Sequence, residues 1–141
     1  METALAASNV VLLDPDTGLV PPSGRLSKRH ATLDEIAGFC RGGKAVCLIV
    51  FPARVNHDEQ VQTLHGRLGE ASGGRILTLR TCVSVPGKKG RVPRVRWFTL
   101  INHDTDLECR ALQFAEDLNE IQTGCAITYP SPGRSRVGGA G

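Results

Sequence analysis

Between Arg75 and Ile101 two β-rich segments, RILTLRTCVSV and VPRVRWFTLI, are joined by the turn-forming, doubly cationic PGKKGR. Side chains of a strand alternate between the two faces of its sheet, so a run with period two declares its own faces. Leu77, Leu79, Val83 and Val85 share one parity, and Thr78, Arg80, Cys82 and Ser84 share the other. In the second segment Val95, Trp97, Thr99 and Ile101 alternate with Arg94, Arg96, Phe98 and Leu100, so its latter half is apolar on both sides. Pro86-Gly87 supplies turn chemistry. Pro93, which has no N–H to give to a ladder, predicts that regular pairing begins only after it and that the cationic loop projects beyond the paired core.

The same stretch concentrates charge. It holds seven cations, Arg75, Arg80, Lys88, Lys89, Arg91, Arg94 and Arg96, and no acidic residue occurs in the 33 positions from Ala71 through His103. The net charge of the 141-residue chain is only +3, so the clustering carries the information about partners. A length of this order is one domain by prior and enough for a core. The five cysteines are an odd number without a C-x-x-C pair, which fits a reduced, cytoplasmic protein better than a disulfide framework or a zinc knuckle. The first residues lack the basic start and long apolar run of a secretory signal, and no segment has the length of a membrane span.

Around the hairpin the remaining elements follow from caps and periodicity. Val10 to Leu13 reads either as an edge strand or as part of an arm lying on the domain. Thr32 and Glu35 form a capping-box signature for a first helix with Leu33, Ile36, Ala37 and Cys40 on one side, ended by Gly42-Gly43. AVCLIVF, from Ala45 to Phe51, is a continuous apolar run expected to be a strand covered on both faces. Asn56 with Glu59 opens a second helix. Thr105 with Glu108 opens a third, whose apolar stripe is Leu107, Ala111, Phe114, Leu118 and Ile121, and CAITY gives a last strand before Pro130.

The order from Ala45 to Tyr129 is β-α-β-β-α-β, and its simplest solution is an α+β fold of the split βαβ, ferredoxin-like kind. That solution has four antiparallel strands in spatial order 4-1-3-2, two helices on one face, and an extra N-terminal helix. The expected organisation is an N-terminal arm over residues 1–31, a single domain over 32–130, and a flexible basic Gly-rich tail over 131–141.

Several chemistries can be argued against. Asn56-His57-Asp58 and Asn102-His103-Asp104 resemble a catalytic or metal pair, but each follows a strand and precedes a helix, where Asn and Asp serve as caps. In the expected topology their histidines fall at opposite ends of the sheet. Gly38 to Lys44 matches G-x-x-x-x-G-K, yet a helix precedes it and a strand follows it, the reverse of a phosphate loop. Cys82 is tied by spacing to no base. No catalytic residue, cofactor or metal is therefore expected, and the chain reads as a non-enzymatic protein.

The functional expectation is nucleic-acid binding, to RNA or DNA, through Arg80, Lys88, Lys89, Arg91, Arg94 and Arg96. Lys88, Lys89 and Arg91 are expected to make mobile contacts, Arg80, Arg94 and Arg96 fixed ones, and Trp97 to belong to the core. Lys28-Arg29 and Arg134/Arg136 are further basic arms. The alternative is an assembly or adaptor protein, including a homo-oligomer, that uses a sheet edge or face, with the basic hairpin and the acidic third helix setting orientation.

Overall fold

The computed structural model describes residues 9–15, 18–20, 30–53 and 56–130. Lys28, Arg29, Arg134 and Arg136, most of the expected N-terminal arm, and the expected basic tail lie outside these residues. Three helices form where the caps place them. In α1 (Leu33–Arg41) the Thr32 side chain accepts from Glu35 N while the Glu35 carboxylate accepts from Thr32 N, the full capping box. In α2 (His57–Ser72) Asn56 Oδ1 accepts from Glu59 N. In α3 (Thr105–Ile121) the cap is Asp104, whose Oδ1 accepts from Leu107 N at 2.8 Å, so the cap lies one residue before the expected Thr105. A carboxylate there both accepts from the free N–H groups and meets the positive end of the helix dipole.

Five strands make one sheet among the described residues: β1 (Val10–Leu13), β2 (Ala45–Val50), β3 (Ile76–Gly87), β4 (Gly90–Ile101) and β5 (Ala126–Pro130), in spatial order β1-β2-β4-β3-β5. The α+β class holds, with β2-β4-β3 adjacent as the hairpin and its crossover require. The four-stranded antiparallel ferredoxin-like arrangement does not. β1 pairs parallel with β2, Val10 with Ala45 through Leu13 with Leu48, and occupies the edge that the last strand was expected to take. β5 instead pairs antiparallel with β3 at the far edge, Leu77 with Pro130 through Thr81 with Ala126.

This exchange of edges also moves a helix. Parallel crossovers are right-handed, so the face on which the connecting helix lands depends on strand direction and on the direction of travel across the sheet. The connections β1-α1-β2 and β2-α2-β3 start from parallel strands and move the same way, placing α1 and α2 together. The connection β4-α3-β5 moves the same way from a reversed strand, which puts α3 on the opposite face. The expectation of two helices on one face is thus corrected to helices on both.

The packing matches. On one face Val46, Leu48, Ile76, Trp97 and Ile101 form a core with Ile36 of α1 and Val61, Leu64 and Leu68 of α2. On the other, Leu79, Phe98 and Ala126 pack with Ala115 and Leu118 of α3. Trp97 is 1% exposed, a core residue as expected. α3 has no helical neighbour on its face among the described residues, and its expected stripe is only partly covered: Leu107, Ala111 and Leu118 are half-buried, Phe114 and Ile121 are 49% and 84% exposed, and the helix's buried residue is Ala115, which the stripe did not include.

Candidate nucleic-acid interface

The β3–β4 hairpin outgrows the sheet that supports it. β2 pairs with β4 only as far as Val50 with Trp97, and β5 pairs with β3 only as far as Ala126 with Thr81. Cys82 N still donates to Cys125 O at 2.8 Å, and beyond it the hairpin continues alone, from Val83 with Arg94 to Gly87 with Gly90. Pairing does not stop at Pro93, as the sequence suggests; it runs through Ser84 with Pro93 to the turn. At a rise of about 3.3 Å per residue the free ribbon is about 17 Å long. Its turn is the Lys88-Lys89 pair. Gly90 takes φ of +114°, and a Cβ on Gly87 would meet Val92 Cγ2 at 2.5 Å and Gly90 O at 2.9 Å. Both glycines are required by the turn itself.

The antiparallel register decides which backbone groups face outward. Asn102 N donates to Arg75 O across the hairpin, and inward-facing residues then alternate along both strands. Pro93 and Val95 on β4, and Ser84 and Pro86 on β3, consequently face the two free edges. Each edge has a proline, which removes a donor. Each also has a carbonyl occupied by a guanidinium of the ribbon: Arg91 Nη2 donates to Ser84 O at 2.6 Å and Arg96 Nη1 to Val95 O at 2.8 Å. Proline and arginine together blunt both edges against strand addition. This is why Pro93 is tolerated inside the ladder: its missing N–H lies on the side that has no partner strand.

The six cations expected at the site divide between tip, ribbon and root. Lys88 and Lys89 form the exposed turn. Arg91 donates to Ser84 through its Nε, 3.2 Å from the hydroxyl, and through its Nη2 to the carbonyl. Arg94 is exposed on the strand, and Arg96 lies at the root with its guanidinium carbon 4.4 Å from the centre of the Phe51 ring, a cation–π contact. Arg80 stands within the sheet, between Trp97 and Ile127, with Nε buried and without a hydrogen-bond partner. By register Arg80 and Arg91 point to the α1/α2 face, and Arg94 and Arg96 to the α3 face. Among the described residues none of the six has a carboxylate within ion-pair distance.

Arg75 is different. It pairs with Glu108 of α3, and the same carboxylate lies 3.3 Å from Nε2 of the buried His103. Burial lowers the His103 pKa; Glu108 opposes that shift and Arg75 adds to it. This cluster ties the start of α3 to the start of β3 and takes the seventh cation out of the hairpin set, a contact across 33 residues that no local pattern announces.

A groove of about 600 Å³ runs along the root of the ribbon, lined by Phe51, Pro52, His57, Pro93, Arg94 and Arg96. Its side chains bring cations, an imidazole and an aromatic ring together with no carboxylate, which suits an anion. His57 packs edge-on to Trp97, with ring centres 5.6 Å apart, and Nε2 lies 3.1 Å from Ala53 O. His57 and His103 lie at opposite ends of the sheet, as their places after β2 and β4 imply. The described residues contain no His, Cys, Asp and Glu grouping able to hold a metal and no helix long and apolar enough to cross a membrane. Compared with known proteins, the chain matches no family model and no curated protein.

Proposed function

We propose that this protein binds nucleic acid through the β3–β4 ribbon, without catalysing a reaction. One observation carries the reading: Lys88, Lys89, Arg91, Arg94, Arg96 and Arg80 lie on or beside a protruding two-stranded arm with no carboxylate partner among the described residues. Uncompensated cations on an extended support are the footprint of a polyanion, since phosphate contacts release condensed counterions. Lys88 and Lys89 meet phosphates as flexible point charges at the tip. The planar groups of Arg91 and Arg96 are pre-oriented by their carbonyl contacts and lose less freedom on binding.

The test is charge reversal where folding does not depend on the side chain. Lys88→Glu, Lys89→Glu and Arg94→Glu together are expected to weaken binding to a mixed-sequence nucleic acid by at least about tenfold per pair of contacts removed, with the thermal midpoint unchanged. Equal binding by the variant and the parent chain, measured by fluorescence anisotropy, would refute the reading.

A second reading, assembly with another copy or another protein, draws on the opposite face. Between α3 and the sheet an apolar groove of about 270 Å³ is lined by Leu77, Leu79, Phe98, Leu100, Leu107 and Phe114. Pairing through the ribbon edges is disfavoured by the two prolines and two guanidinium caps, so in this reading the face takes the partner. A stable oligomer in sedimentation that persists after the charge reversals, with no nucleic acid co-purifying, would favour it.

A further inference from the structure

We infer that the ligand of the ribbon is double-helical DNA, engaged through its major groove; this rests on the nucleic-acid reading above and specifies it. Single strands are usually held by stacking bases on aromatic rings. From Cys82 to Val95 the ribbon contains no Phe, Tyr or Trp. At its root Trp97 is 1% exposed, Phe98 packs toward α3, and the 46% exposed Phe51 has Arg96 over its ring. One ring already engaged cannot order a strand of successive bases. The ligand is therefore a duplex, in which the bases stack on each other.

Between duplexes, groove shape decides. The major groove of B-form DNA, about 12 Å wide, admits a two-stranded ribbon, whereas that of A-form RNA is deep, narrow and closed to side chains. The free ribbon is two strands wide, and its length of about 17 Å is enough to cross a groove of that width. Its cations also have the distribution that a groove requires. Lys88 and Lys89 lie at the tip, Arg94 and Arg96 toward the root, with Arg91 on the opposite face from these two. An element pressed flat against a surface would carry its charge on one face; an element lodged between two phosphate backbones meets anions on both sides and at its end. The edge caps fit the same use, because an arm that enters a groove must stay two-stranded. In the middle of the ribbon Val83, Val85 and Val92 offer base edges apolar contacts, and the Ser84 hydroxyl, which accepts from Arg91 Nε, keeps its own proton to donate.

The experiment is a fluorescence-anisotropy comparison, at one fixed salt concentration, of a DNA duplex, an RNA duplex of the same sequence and the single DNA strand, using the full chain. The DNA duplex is expected to bind at least about tenfold tighter than either of the others. In a second arm, DNA whose major groove is filled by glucosylated hydroxymethylcytosine is expected to bind more weakly, while a ligand occupying the minor groove does not compete. RNA duplex or single strand bound as tightly as the DNA duplex overturns the inference, and so does indifference to major-groove filling; in both cases sensitivity to Lys88→Glu and Lys89→Glu keeps the nucleic-acid reading alive. No binding to any of the probes overturns both.

Discussion

His65 lies under the sheet with 5% of its surface exposed, its Nε2 2.8 Å from Thr78 Oγ1, which is in turn 2.9 Å from Thr99 Oγ1. The chain satisfies three polar side chains inside an apolar layer, and satisfied buried groups cost little while orphaned ones are expensive. Burial lowers the His65 pKa from 6.5, and His103 shifts the same way. The unfolded chain then takes up protons that the folded chain refuses, so this part of the stability is fully present above pH 6.5 and declines as the pH falls through and below it. Thermal midpoints measured across that range are expected to fall toward acid, and His65→Gln to flatten the fall. An unchanged slope in the variant would mean that another group titrates. The sequence marks His57 and His103 by their repeated triplet and says nothing of His65, because its partner is a threonine on a strand and comes within reach only when α2 docks.

The ribbon and α3 show what each element takes from its own residues. Alternation and Pro-Gly punctuation made the hairpin legible, but the extent of its pairing was not. A proline looks like a ladder terminator until the strand is known to have one neighbour at that point. Gly87→Val is expected to displace the Lys88-Lys89 tip, because even a Cβ there falls 2.5 Å from Val92 Cγ2. Binding should weaken by about tenfold or more while the thermal midpoint moves little, since an unflanked ribbon opens at low cost relative to the core. α3 offers a sharper contrast. Its apolar residues read as one stripe, yet the helix buries a seam centred on Ala115 and leaves Phe114 half open. Ala115→Leu should overpack that seam and cost about 1–3 kcal/mol in chemical denaturation, while Phe114→Ser should cost less. The reverse order would place α3 in a different rotation.

At the scale of the whole molecule, charge is divided along the fold. The six ribbon cations have no carboxylate partner among the described residues, and α3 exposes Asp106, Glu116, Asp117 and Glu120. Because Glu108 engages Arg75, the proposed nucleic-acid contact has six hairpin cations to draw on rather than seven. At about 0.9 per phosphate, the slope of log affinity against log salt on duplex DNA is expected near −5, and each removed cation should reduce it by about 1. Salt titrations of the parent chain and of Lys88→Ala check this directly; a flat dependence would leave the ribbon without an electrostatic role.

Helix starts, the hairpin, the apolar run of β2 and the uncompensated cations were all readable in the chain, because caps, periodicity and charge runs act over a few residues. Strand order, the face of α3 and the loss of Arg75 to Glu108 were not. The string β-α-β-β-α-β permits the last strand at either edge, and only tertiary structure decided between them: Val10–Leu13 filled the edge beside β2, β5 went to β3, and the right-handed crossover carried α3 to the opposite face.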